Sequence, residues 1–301
     1  MTALSALVRR NTKLYFKDKG MFFSSLITPM ILLVLYSTFL YNIYEDSFRS
    51  ALAAAGATAP EALIRGCVGG ELVSSLLAVS CVTVAFCSNL LMIQDKVSGA
   101  RRDMTVSPVR HSTMAMGYYL SSLCSTLIVC YTATAVCLVY LAFTGWYLTV
   151  GDVMLLLLDV FLLVMFGTAL SSCVNFFLST NGQASAVGTV ISAGYGFVCG
   201  AYMPISNFSE GLRNVLSFLP GTYGTSLLRN HTLRGVFAEM SEQGFPAEVV
   251  EGIRDSVDCN LYFFSHKVQT GTMYLILVGG VVLSVLVYVG MNILSRKRKA
   301  K

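Results

Sequence analysis

The sequence predicts an all-α integral membrane protein with six transmembrane helices and both termini in the cytoplasm. A helix lying in the membrane interface precedes the first span, and re-entrant helices separate spans five and six. Three observations carry this prediction. Of 301 residues, 55% are hydrophobic and 12% charged, with a mean hydropathy of +0.67; the charge is about half that of a typical soluble domain, so the chain needs a bilayer as solvent. Six apolar segments meet the span requirement of ~20 residues: 21–42, 72–94, 112–143, 153–178, 184–203 and 271–294. With the N-terminus inside, 14 of the 21 Lys and Arg residues fall in inner segments and 7 in outer ones, as the positive-inside rule requires. The net charge of +5 therefore sets orientation. Its residues flank spans instead of forming one face, which argues against a nucleic-acid partner.

The head, residues 1–20, sets Leu4, Leu7, Val8, Leu14 and Tyr15 close to one helical stripe, with Arg9, Arg10, Lys13 and Lys17 mostly off it. That pattern fits a helix in the inner membrane interface. The first span is too long for a signal-peptide core, and Glu45, Asp46 and Arg49 precede the small residues at 51–56, so it is expected to be retained. The third apolar segment is overlong and is expected to tilt or to begin in the cytoplasm.

A polar island from Asp95 to His111 separates spans two and three. It holds Asp95, Lys96, Gly99, Arg101, Arg102, Asp103, Pro108 and Arg110. The other inner connection, residues 179–183, is minimal. A bare connection needs only a few residues, so the longer one invites a use. Pro108 suits the first turn of the next helix, and Arg101, Arg102 and Arg110 are expected to face the cytosol. The second span carries Ser74, Ser75, Ser80, Thr83, Ser88 and Asn89. Asp159 lies about two turns inside the fourth span, where a carboxylate must be paired, protonated or near water. An outer Arg is its expected partner, with a transport role as the alternative. In the fifth span Gly188, Ser192, Gly196 and Gly200 recur every fourth residue, a stripe that lets another helix approach closely.

Residues 204–270 form neither a span nor a simple loop. An amphipathic stretch at 211–219 is broken by Pro220 and followed by a second short segment. Both are expected to dip into the outer leaflet and return. Residues 238–260 read as an acidic external cap. Cys67 and Cys259 are the two cysteines expected outside, and an oxidising compartment would allow a disulfide between them.

No catalytic site is legible. The P-loop pattern, H-E-x-x-H and C-x-x-C are all missing from the sequence, and His111, His231 and His266 lie far apart, each reading as a surface residue. The chain is expected to hold no metal or cofactor.

The segment QDKVSGARRDMTVSPVRHSTMAMG resembles the cytoplasmic loop of type-2 ABC exporter permeases, the six-span membrane subunits of ABC transporters related in fold to the G-subfamily exporters. The matching positions are Asp95, Gly99, Ser107-Pro108-Val109 and Gly117. A second match, residues 203–230, resembles the segment that follows that family's fifth span, and residues 27–36 fit its first span. Ala100-Arg101-Arg102 stands where relatives often carry an acidic or Thr-rich segment, which leaves open the ATPase surface contacted. The resemblance implies that the loop is a coupling helix, with Asp95, Lys96, Gly99, Arg101, Arg102, Pro108 and Arg110 contacting a cytosolic ATPase. It implies two permease copies, expected to be identical, and two ATPase subunits that hold ATP and Mg. The Gly188 stripe would then lie at or near the twofold axis. Thr83, Asn89, Tyr195 and Tyr202, with Asp159, would line the pathway of an amphipathic drug, lipid, peptide or glycan-type cargo moved outward across the plasma membrane. The alternative is an ion-coupled secondary transporter, which would favour paired intramembrane charges and an inverted repeat.

Overall fold

The computed structural model describes residues 2–54, 58–107, 109–264 and 266–299. Helix α1 (Ala3–Lys17) starts at Thr2, whose hydroxyl accepts from the Ser5 N–H. Asp18 both ends α1 and caps α2 (Lys19–Leu35), so the interfacial helix turns into the first span within one residue. One π-helical turn (Tyr36–Leu40) joins α2 to α3 (Tyr41–Ala54). Together they make a crossing from Lys19 to Ser50, longer than the expected 21–42. The stripe of α1 packs on the inner end of α7 (His111–Thr144), where Leu7 lies close enough that a Cβ on Gly117 would meet it at 3.0 Å.

The centre of the molecule is α4 (Glu61–Ser88). It touches α2, α3, α7, α8 (Val150–Phe177), α9 (Asn181–Val198) and α11 (Pro220–Glu242). Small residues allow this crowding. A Cβ on Gly70 would meet Leu233 at 2.6 Å, and one on Gly167 would meet the Cys81 carbonyl at 3.0 Å. The outward faces of α2 and α13 (Thr270–Lys299) carry exposed apolar side chains such as Ile31, Val34, Leu275 and Leu283, as lipid contact requires.

Five helices among the described residues are long and apolar enough to cross a bilayer. The sixth crossing element, α9, is shorter and rich in small residues. The third and fourth spans match their expected bounds to within three residues, because their apolar runs are uninterrupted. The second does not. It begins at Glu61 instead of 72, breaks at Asn89, and continues as α5 (Leu91–Val97). Charges at Glu61, Arg65 and Glu71 and three glycines mask its first turns from a hydropathy reading. Cys67 therefore lies inside α4, buried, and not outside. Cys259 is also buried, and both are free thiols. The fifth span was expected to run to 203 but stops at Val198, where Gly200 takes a left-handed φ of +77°.

A 3₁₀ turn (Ile205–Asn207) and α10 (Glu210–Leu216) follow, and then α11. This second helix was expected to be short, but it has 23 residues. Its partners fix its depth. Gly280 on α13 approaches Pro220 so closely that a Cβ would meet that ring at 2.6 Å. Gly224 faces Leu163 and Arg234 reaches Asp152, at 3.5 Å, near the start of α8. At 1.5 Å per residue, Phe166, beside Gly280, sits about 24 Å below Val150 and Gly280 about 15 Å below Thr270. The chain after α9 thus runs back down beside α8 and α13 to Pro220, and α11 carries it up again toward their outer ends. Above lies α12 (Ala247–Ser256), part of the acidic segment, then a hairpin of β1 (Leu261–Phe263) and β2 (His266–Val268), paired antiparallel with Phe263 opposite His266. Lys267 on β2 holds the Glu251 carboxyl on α12 below its ordinary range through a hydrogen bond. A depressed carboxylate stabilises the fold above its unfolded pKa, so this tether is lost only as pH falls through the lowered value.

Candidate functional site

The inner face is built around α6 (Ala100–Val106). Gly99 precedes it with φ +84°, a conformation glycine adopts without strain, and this turns the chain sharply out of α5. Arg102, Asp103, Thr105 and Val106 are exposed, Val106 to 84%. Arg110, also exposed, caps α7. Pro108 lies outside the described residues.

The other expected contact residues are turned inward. Asp95 is buried and accepts from Arg10 Nη1 at 2.7 Å, Arg10 Nη2 at 2.9 Å and the Tyr118 hydroxyl at 2.6 Å. These bonds raise the pKa of the Arg10 guanidinium. Asp95 thus fastens α1 and α7 to the end of the second span. Lys96 Nζ donates to the carbonyls of Asn175, Phe176 and Leu178, at 2.8, 2.8 and 2.5 Å, the carbonyls that the end of α8 leaves open. Arg101 donates to Asn292 Oδ1 on α13 at 3.2 Å. Of the arginines expected to face the cytosol, Arg101 is instead half-buried. The result is a short exposed helix tied to α13 by Arg101 and continuing from α5, which Asp95 and Lys96 tie to α1, α7 and α8.

A groove of about 620 Å³ opens between α4 and α9. Thr83, Phe86 and Cys87 line one wall, and Ser185, Gly188 and Ser192 the other; among the described residues none that lines it is charged. Beyond α4 and α5, α9 has little support, and Val190 and Phe197 on it are exposed. The small-residue stripe is not one seam. Gly188 has open space before it, and Ser192 is exposed. A Cβ on Gly196 would strike the Tyr202 ring at 2.4 Å, and one on Gly200 would strike Ile205 at 2.7 Å. Its outer half is filled by its own chain folding back.

Of the expected pathway residues, only Thr83 lines the groove. Tyr202 is half-buried, its hydroxyl donating to the Ser192 carbonyl at 3.3 Å. Tyr195 is buried, its hydroxyl beside Gly221. Asn89 is fully buried where α4 breaks. Its amide donates to Ser171 and Ser172 on α8 at 3.1 and 2.9 Å, and it accepts from Ser122 on α7 at 3.2 Å. It is a joint between three helices. Ser74, Ser75, Ser80 and Ser88 are likewise buried within the subunit. Asp159 is paired, but with His231 Nδ1 at 2.5 Å and the Tyr274 hydroxyl at 2.6 Å, not with an outer Arg. His231 is accordingly buried, not a surface residue, and the network ties α8, α11 and α13 together. An outer Arg, Arg234, pairs with Asp152.

A second cluster escaped the sequence reading. Arg229 on α11, 1% exposed, donates to the Gly200 carbonyl at 2.7 Å and to Ser75 on α4 at 3.3 Å, and faces Asp258 Oδ2 at 3.4 Å. Asp258 also accepts from the backbone N–H groups of Ile205 and Ser206. Glu71, buried on α4, adds a second carboxylate to the Arg229 field. The one available signal was an arginine inside a hydroxyl-rich helix that had to be buried to pack.

No curated protein matches the chain. The family model described as ABC-2 type transporter matches residues 2–232, which take in every element from α1 to the middle of α11, including the braced α6 and the α4–α9 groove. The match extends over well more than half of the sequence and agrees with an all-helical, multi-pass membrane architecture: the chain belongs to the ABC-2 type transporter family, as the membrane-spanning permease part of an ABC transporter.

Proposed function

We propose that two copies of this chain and two cytosolic ATPase subunits form an exporter in the plasma membrane, carrying an amphipathic drug, lipid, peptide or glycan-type cargo outward. The observation that carries this reading is the braced, exposed α6. A helix that received force from a separate protein would need to be rigid and to connect to the spans. Here α6 follows directly from the second span and is fastened by Arg101 to α13, while Asp95 and Lys96, just before it, are fastened to α1 and α8. ATP and Mg would sit on the partner. The permease contributes two arrangements of its spans, and each must bind the ATPase state differently for coupling to occur. The uncharged α4–α9 groove offers hydroxyls and apolar walls, which suit a neutral or amphipathic molecule. The exposure of the inner half of α9 supports a second copy packing there.

The division of labour between the two adjacent arginines provides the test. Arg102→Glu is expected to lower substrate-stimulated ATPase activity of the reconstituted complex by about tenfold, the equivalent of one charge-assisted contact, with membrane insertion unchanged. Stimulation equal to that of the unsubstituted complex would remove α6 from the coupling contact.

A further inference from the structure

Five carboxyl side chains are buried among the described residues: Glu71, Asp95, Asp152, Asp159 and Asp258. The four aspartates accept hydrogen bonds, in that order, from the Tyr118 hydroxyl, the Thr149 N–H, the Tyr274 hydroxyl and the Ile205 N–H. Glu71, 7% exposed, accepts none among the described residues. An ionised carboxylate taken out of water without a donor is costly, and such a group keeps its proton instead.

Its surroundings point the same way. Glu71 stands one turn before Ser75 on the same face of α4, and Ser75 is the residue that Arg229 reaches at 3.3 Å. The neighbouring Gly70 approaches Leu233, one turn beyond Arg229 on α11. Glu71 is therefore set against the stretch of α11 between Arg229 and Leu233. The titratable groups that face it are Tyr44 on α3, Cys67 on α4, Arg229 on α11, and Asp258 and Cys259 after α12. With both carboxyls ionised, the cluster would bury two negative charges against one positive. The guanidinium is also engaged elsewhere. It donates to the Gly200 carbonyl at 2.7 Å and lies 3.4 Å from Asp258, which takes the N–H groups of Ile205 and Ser206 as well. Asp258 has the donors that hold a negative charge, and Glu71 has not.

We propose that this cluster binds one proton, on Glu71, and that its release loosens the turn that ends α9. The Arg229 Nε is buried and has no partner among the described residues. An ionised Glu71 would take that donor and draw the guanidinium toward α4, away from Asp258 and the Gly200 carbonyl. The turn from Gly200 to Ser206 would then lose its tether, and with it the outer end of the helix that walls the α4–α9 groove.

Linkage gives the sign of the pH dependence. A carboxyl that stays protonated in the fold above its unfolded pKa of about 4.3 stabilises the fold fully below that value. The contribution is lost as pH rises through the point where the folded protein releases the proton. In the detergent-solubilised full chain, the thermal midpoints of the unsubstituted protein and Glu71→Gln should coincide at about pH 5 and separate by about 4 °C at about pH 9, with the unsubstituted protein lower. At the higher pH, amide exchange at Ile205 and Ser206 should be about tenfold faster in the unsubstituted chain than in Glu71→Gln. Infrared difference spectra at neutral pH should show a protonated-carboxyl stretch that Glu71→Gln lacks. Gln has the shape of a neutral Glu. A Glu71→Gln chain that fails to fold, or that melts well below the unsubstituted protein at the lower pH, would mean that Glu71 is ionised and pairs with Arg229. Either result, a missing carboxyl band, or a pH profile that the substitution leaves unchanged would overturn the proposal.

Discussion

Replacing Arg229 with Met is expected to lower the thermal unfolding midpoint of the detergent-solubilised protein by about 10 °C. The guanidinium is 1% exposed and reaches three elements at once: Ser75 on α4, the Gly200 carbonyl at the end of α9, and Asp258 below the cap. Met keeps the apolar stem and lacks the guanidinium, so part of the loss is the space that group leaves. What remains is two buried carboxylates, Asp258 and Glu71, without their cation, and a backbone carbonyl without its donor. Removing one partner of a buried ion pair costs about 3–5 kcal/mol. For a chain of this size each kcal/mol moves the midpoint by roughly 2–4 °C. The same logic gives a second outcome. Adding Asp258→Asn and Glu71→Gln to Arg229→Met removes the uncompensated charge, and the triple variant should recover more than half of the loss. A midpoint indistinguishable from the unsubstituted protein in Arg229→Met would show that the cluster is hydrated and not structural.

The cluster also explains why the end of the fifth span was misread. Hydropathy continues to 203, but the Gly200 carbonyl is held by Arg229, and Ile205 and Ser206 donate to Asp258, 53 and 52 residues further on. The chain turns because of partners that no local window contains. The start of the second span failed for the same reason: Glu71 reads as a boundary unless Arg229 is known to lie beside it. Elements whose signals are local were legible. The apolar runs of α7 and α8 and the stripe of α1 stand where the sequence placed them.

The site was legible in position and less so in role. The polar island was found, and Arg102 and Arg110 are exposed on it while Gly99 turns the chain. Asp95 and Lys96 are turned inward, because their partners are Arg10, 85 residues back, and carbonyls about 80 residues ahead. A charge at an interface looks the same in a sequence whether it faces water or a neighbouring helix. Asn89 and Asp159 read as pathway residues for a similar reason. A polar side chain in a span signals that something must satisfy it, and here other helices of the same subunit do so.

Asp95→Ala is therefore expected to act on α1 before it acts on any partner. In the intact protein one carboxylate takes both nitrogens of the Arg10 guanidinium and the Tyr118 hydroxyl. The substitution removes three charge-assisted hydrogen bonds and leaves Tyr118, buried on α7, without an acceptor. Arg10 is partly exposed, its side chain at 36%, and recovers water, so the loss is well below the sum of three bonds at about 1.5–3 kcal/mol each. Even one such bond corresponds to about a tenfold shift in a local opening equilibrium. Amide exchange across Ala3–Lys17 should accelerate by at least that factor, while exchange in α8, which Asp95 does not touch, should be unchanged. Because α5 carries both Asp95 and the turn into α6, substrate-stimulated ATPase activity of the complex should fall along with α1 protection, and Arg10→Lys should lie between the two forms in both measurements. If α1 exchanges at its original rate in Asp95→Ala, the helix is held by its packing on Gly117 alone, and the brace from the interfacial helix to α6 does not exist.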